Sequence, residues 1–222
     1  MGKSSDPIYE KLKNEIVMLE IKPGTMLKEV DIGERFNVSR TPARDVFVRL
    51  QRDHLVEVVS QKGTYVTKIN IEDVTDIMYL RKTIEENIIS TLIKKISLDQ
   101  INILHLILIH QKEILGIEDE QERRVKFYEN DNKFHSTMYG FVNKRGVWDI
   151  ISNLSPTYNR YRNITYLRKI ERLSDLYKQH EKILKCIEDG DEEGALKALE
   201  EHFYSGLSGI DEVFHMYKDY FD

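Results

Sequence analysis

The sequence predicts a mainly α protein: an N-terminal winged helix-turn-helix, in which a small β-hairpin forms the wing, followed by a C-terminal all-α helical bundle. Three observations predict it. Apolar residues recur at helical spacing through most of the 222 residues. Two short helix signals near the N-terminus lead into two β-rich stretches joined by a turn, within 55–69. After residue 70 no strand pattern recurs. The length favours two domains, and the cut falls where the strand signal stops, giving 1–70 and 71–222.

The first helix opens at Asp6-Pro7, an N-cap type followed by the residue favoured at the first helical position. Ile8, Leu12, Ile16 and Leu19 give it an apolar face, and "KPGT" at 22–25 stops it. A second short helix runs from about Glu29 to Phe36, with Asn37-Val38 as a tight connection. Ser39 then stands where an N-cap belongs, its hydroxyl placed to accept from first-turn amides. Pro42 falls within that turn, where a missing N–H has no helical partner to lose. Ala43, Val46, Phe47 and Leu50 recur at i, i+3, i+4 and i+7, a buried stripe. "LVEVVSQKGTYVTKI" reads as a hairpin turning at Ser60 to Gly63, the wing of a winged helix-turn-helix.

Arg40, Thr41 and Arg44 gather at the start of the third helix, off its apolar stripe. A recognition helix enters the DNA major groove N-terminus first. Arginine can bond guanine in bidentate fashion, and threonine and the helix N-terminus suit phosphate. An isolated arginine pair is ordinarily solvated charge. Here it coincides with the cap, the proline, the preceding helix and the wing, and a face for double-stranded operator DNA is the better reading. Ser39, Arg35 before the turn, and Lys62 with Gly63 at the wing tip complete the candidate contacts. Residues 1–70 hold twelve Lys and Arg against ten Asp and Glu; the remainder hold 21 against 28. DNA contact must therefore depend on local placement rather than bulk charge.

Beyond residue 70 the periodicity predicts helices over 72–95, 98–115, 120–142, 145–162, 172–189 and 192–217, with Ser97 as a cap and Pro156 kinking or breaking the fourth. "DNKFH" places Asp131 and His135 one helical turn apart, in reach of a common ion. A surface ion pair is the commoner meaning of such spacing. "HEKILKCIEDGDEEGALKALEEH" reads as two antiparallel helices about Gly190. His180 and His202 then lie roughly 15 and 18 Å along the two arms, and so come level. Asp131, His135, His180 and His202 together make a three-nitrogen, one-oxygen set that suits Zn²⁺, Ni²⁺, Mn²⁺ or Fe²⁺, zinc foremost, with positions left for water or a ligand. Spacing alone leaves a shared ion and separate surface pairs equally open.

Cys186 is the single cysteine, which excludes an intramolecular disulfide or a multi-thiolate site and fits a reducing cytoplasm. No apolar run approaches the length of a membrane span, and no signal-peptide core is present, so a cytoplasmic protein is expected.

Residues 8–68 resemble the winged helix of the GntR family of bacterial transcription regulators. The pattern runs through "IKPGTMLKEVDIGERFNVSRTPARDVFVRLQRDHLVEVVSQKGTYV", departing where the family more often has a glycine near His54. Residues 73–217 resemble the FCD ligand-binding domain of the FadR-like branch. "YLRKTIEENI" is similar to its first helix, with Arg81 and Glu85 in an R-x-x-x-E pattern, and "DNKFH" with the "H…GD…A…H" hairpin is similar to its metal motif. The resemblance implies Asp131, His135, His180 and His202 as ligands of a divalent transition metal, with a small carboxylate effector on or near it. Arg81 would then contact the effector or simply bridge to Glu85, with Asn153, Arg160 and Arg162 as further polar pocket groups. It implies a metabolite-responsive regulator binding a palindromic operator as a homodimer, hinged around Thr67 to Asp73. Two other functions compete. The metal could itself be the signal, or the site could be that of a metal-dependent hydrolase. Against the hydrolase, no motif places a general base near the ligands, and a DNA reader has no role in it.

Overall fold

A computed structural model of the chain describes residues 5–154, 156–168, 170–207 and 210–222. It divides into two compact units, one of residues 1–74, 153–161 and 211–222, the other of residues 75–152 and 162–210. The elements in chain order begin with α1 (Ser5–Val17), β1 (Met26–Leu27), α2 (Glu29–Phe36), α3 (Arg40–Arg52), β2 (Val56–Val59) and β3 (Gly63–Val66). They continue with α4 (Ile71–Ile93), α5 (Leu98–Ile114), α6 (Glu120–Phe141), α7 (Arg145–Leu154), α8 (Pro156–Arg168), α9 (Ile170–Glu188), α10 (Glu192–Ser205) and α11 (Ile210–Met216).

In the first unit α1 and α2 pack on α3, and the predicted apolar positions of α1 and α3 form the core. Leu12, Ile16, Ala43, Val46 and Leu50 are wholly buried. α2 closes on Asn37, whose left-handed φ of 53° turns its amide back to the carbonyls of Glu34 and Gly33. Ser39 occupies the N-cap of α3, but its hydroxyl makes no capping bond and stays exposed. The wing is the predicted β2–β3 hairpin, antiparallel, with Val56 opposite Val66 and Val59 opposite Gly63. β1 adds a third strand, in the order β1-β3-β2, pairing Met26 with Tyr65. Two residues are too few for an alternating pattern to show in sequence. His54 sits at φ 55°, a conformation glycine adopts without strain, which accounts for the family's glycine near this point.

The linker after the wing, where a hinge is expected, is hydrogen-bonded to the C-terminal residues and to Arg160. Ile69 is wholly buried; its amide donates to the Tyr220 carbonyl at 2.8 Å, and the Asp222 amide donates back to the Ile69 carbonyl. Arg160, almost wholly buried, donates to the carbonyls of Thr67 and Lys68. Burial presses its guanidinium pKa down to about 10. Arg160 is thus a linker anchor rather than a pocket group, and Asn153 is exposed.

In the second unit α5 packs against α6 and α9, and α9 against α10. Ser97 closes a full capping box with Gln100 at the start of α5. Pro156 separates α7 from α8, a break rather than a kink in the predicted 145–162 segment. Gly190, at φ 71°, turns α9 into α10. The last predicted helix divides into α10 and α11; residues 208–209, within its predicted span, lie outside the described residues. No helix of the described residues is long and apolar enough to cross a membrane.

Candidate metal centre

Asp131 and His135 lie one turn apart on the buried side of α6, His180 on α9 and His202 on α10. All four are buried, and one ligand atom from each lies within 4.8 Å of the others. The α9–α10 hairpin brings its two histidine rings to 4.7 Å, and each lies 5.3 Å from the His135 ring. The arrangement is set by backbone geometry: i, i+4 spacing on one helix and a tight turn between two others.

Each histidine has its Nδ1 against an oxygen acceptor from elsewhere in the unit. Glu85 Oε2 of α4 lies 2.7 Å from His135 Nδ1. Gln111 Oε1 of α5 lies 2.8 Å from His180 Nδ1, and Gln179 Oε1 of α9 lies 3.1 Å from His202 Nδ1. The acceptors at Nδ1 of His180 and His202 favour the tautomer protonated there and leave Nε2 as the lone-pair nitrogen, whereas the His135–Glu85 contact is an ion-pair approach without hydrogen-bond geometry. The Nε2 atoms of His135 and His180 face the Asp131 carboxylate at 3.9 and 3.5 Å. His180 Nε2 is buried without a hydrogen-bond partner. Three imidazole nitrogens and one carboxylate oxygen within 4.8 Å of one another are the donors a divalent transition metal takes, and the residues fit such an ion.

Electrostatics keep Asp131, His180 and His202 in their ligating forms. Burial would raise the Asp131 carboxyl pKa, but Arg162 and the neighbouring histidines hold it below the usual value. Burial acts the same way on Glu85, where His135 and Arg81 overcome it and hold the pKa at about 2. Burial pushes His180 down to about 3 and lowers His202 well below normal, so both stay neutral. Arg162 donates to Asp131 Oδ2 and to Asn132, and lies 5.0 Å from the Tyr128 ring centre. Arg81, a candidate for the effector, takes the bridging geometry: its Nη2 donates to Glu85 Oε1 at 2.8 Å, with the Trp148 and Phe203 rings each 5.4 Å away.

The candidate DNA-facing residues divide differently. Ser39, Arg40, Thr41 and Arg44 are exposed at the N-terminal end of α3, and Lys62 is exposed at the wing turn. Gly63, at φ 135°, lets that turn close on β1; a Cβ there would meet Met26 Sδ at 3.2 Å. Arg35 is half-exposed but engaged, donating to both oxygens of the buried Glu15 carboxylate. Arg49, farther along α3, is held by Asp6 and the Tyr9 ring.

The model of the bacterial regulatory proteins of the gntR family matches residues 4–66, and that of the FCD domain matches residues 76–205. The chain is a GntR-family transcription regulator with an FCD domain. Over 214 residues it is 29% identical to the HTH-type transcriptional repressor RspR of Escherichia coli strain K12, covering 96% of this chain and 92% of that one. Its fold matches E. coli McbR/YncC with a TM-score of 0.75 at 17% identity, over 98% and 100% of the two chains. A putative GntR regulator from Rhodococcus sp. RHA1 matches at 0.74 and 20% identity, over 96% and 98%. The family is one of DNA-binding regulators rather than enzymes.

Within the FCD domain, sequence reasoning gave the four clustered residues and missed the acceptors behind them. Gln111 did leave a signal: it is the one polar residue on the buried stripe of α5, among Leu104, Ile107, Leu108 and Ile114. His105 and His110 stand outside the cluster, exposed beside Glu188 and Glu113.

Proposed function

We propose that this GntR regulator works in the cytoplasm, binds a palindromic operator as a homodimer, and changes its affinity when a small carboxylate effector reaches a metal in the FCD domain. In this reading residues 1–70 read DNA and residues 71–222 sense and dimerise. Arg40 and Arg44 meet base edges, Ser39 and Thr41 meet phosphate at the start of α3, and Lys62 and Gly63 bring the wing to the backbone. Arg35 would reach phosphate only by exchanging its bond to Glu15. Asp131, His135, His180 and His202 hold the ion, zinc foremost. When bound, the metal supplies a Lewis-acidic site for an anion. Arg81 gives the effector carboxylate a guanidinium partner, and Arg162 keeps Asp131 ionised.

The buried quartet carries this reading. Four side chains with ligating atoms within 4.8 Å, two of them hydrogen-bonded to separate acceptors and His135 paired with Glu85, form a polar site that a packed core would not otherwise favour. An effector that binds better to one arrangement of the DNA-binding units shifts the operator equilibrium by that difference in affinity.

The test is elemental analysis of protein purified without chelator, alongside operator binding with metal alone and with metal plus candidate carboxylates. We expect about one metal per chain, lost in His180→Ala with His202→Ala, and a DNA response that requires the carboxylate. Full response to metal alone would make the protein a metal sensor. Metal content unchanged in the double variant would remove the ligand assignment.

A further inference from the structure

We infer that the outward face of α5 is the surface on which two copies of this chain pair, antiparallel about a two-fold axis at Leu106. The inference rests on the homodimer reading and adds where the contact lies. α5 carries large aliphatics all round its axis, with Asp99, Asn102, His105, His110, Lys112 and Glu113 interleaved on its exposed side. Its own unit covers only one face, taking Leu104, Ile107, Leu108, Gln111 and Ile114. Leu98, Ile103, Leu106 and Ile109 remain 72%, 43%, 65% and 54% exposed. One solvent-facing helix presenting four large aliphatics is a patch, not scattered surface.

The charges at the two ends say what covers it. Lys94 and Lys95 are exposed in the turn before α5, and Glu118, Asp119 and Glu120 are exposed in the turn after it and at the start of α6. Leu106 is the midpoint of α5, with Ile103 and Ile109 three residues to either side. A second α5 laid antiparallel across it at Leu106 sets each copy's lysine pair against the other's acidic run. Asp99 then falls opposite Glu113, a like-charge contact that the two end pairings of Lys94 and Lys95 with the acidic run outnumber. A parallel pairing would oppose lysine to lysine and acid to acid. A patch complementary to its own copy under a two-fold rotation is the requirement of an isologous dimer.

The test is self-association of the full chain by sedimentation equilibrium, with circular dichroism as the check on folding. The wild type is expected to be a dimer and Leu106→Glu to self-associate at least ~30-fold more weakly with its helix signal retained. Should that variant fold poorly, the charges decide. Lys94→Glu with Lys95→Glu and Glu118→Lys with Glu120→Lys should each dimerise weakly alone, and their mixture should recover a mixed dimer. A wild-type dimer untouched by Leu106→Glu, or charge variants that do not rescue one another, would overturn the α5 face and leave the homodimer standing. A monomeric wild type would remove both.

Discussion

Glu85 answers to two partners at once, closing an ion pair with Arg81 and placing an oxygen on His135 Nδ1. The two roles separate by substitution. Glu85→Gln keeps the shape and an acceptor oxygen but removes the charge, and metal affinity should fall roughly 10- to 100-fold on calorimetric titration. Glu85→Ala also strands a buried guanidinium, and chemical denaturation should show a loss of about 3–5 kcal/mol. An equal effect of both substitutions on metal affinity and stability would mean that the carboxylate does not act through His135. The arginines of the winged helix separate in the same manner. Arg44 is exposed and makes no ion pair among the described residues, so Arg44→Ala should cost specific operator binding about 1–3 kcal/mol with the melting curve unchanged. Arg35→Ala leaves the buried Glu15 carboxylate with Lys11 alone, and should lower stability by about 1–3 kcal/mol. An Arg44→Ala protein that binds its operator as before would take that residue off the reading face.

At the scale of elements, what could be read in advance was whatever repeats along the chain. Helical periodicity put α2 at Glu29–Phe36 and α5 and α6 within a residue at their C-terminal ends, because an amphipathic stripe needs several turns of consistent spacing. The quartet was legible because i, i+4 spacing and a hairpin about Gly190 are local features. The acceptors were not, because Glu85, Gln111 and Gln179 reach their histidines by packing, from 50, 69 and 23 residues away. The C-terminal strap was hidden for the same reason. Ile69 meets Tyr220 and Asp222 through backbone groups, which carry no sequence signal. Phe221, buried and stacked 4.9 Å from Phe214, should be the apolar anchor of that strap. Phe221→Ala is expected to cost about 3 kcal/mol in denaturation. Arg160→Met, which strands the carbonyls of Thr67 and Lys68, should also destabilise, by about 1–3 kcal/mol. Metal content should hold in both, since neither residue belongs to the quartet. Wild-type stability after these changes would mean that the strap does not hold the linker.

For the molecule as a whole, the quartet ties stability to metal and to pH together. Without metal, His180 and His202 are buried and neutral, with pKa values held below those of the unfolded chain. Between the ordinary histidine value near ~6.5 and the value of about 3 for His180, the unfolded state binds protons that the folded state refuses. Stability contributed by this difference is therefore full above pH ~6.5 and lost as the pH falls through that window. Asp131 and Glu85, with depressed pKa values, add a further loss below the ordinary carboxylate range near ~4. Metal bound only by the folded state should raise the melting temperature of the helical unit by about 10 °C at ~1,000 times its dissociation constant. Protons compete for the same nitrogens, so that gain should shrink as the pH drops from 7 to 5. Melting curves of chelated and metal-loaded protein at pH 5, 6 and 7 would check this. In the chelated double variant His180→Gln with His202→Gln the decline between pH 7 and 5 should flatten, because the groups that take up protons on unfolding are gone. If the decline persists undiminished in that variant, other groups set the acid sensitivity, and the buried histidines do not link stability to pH.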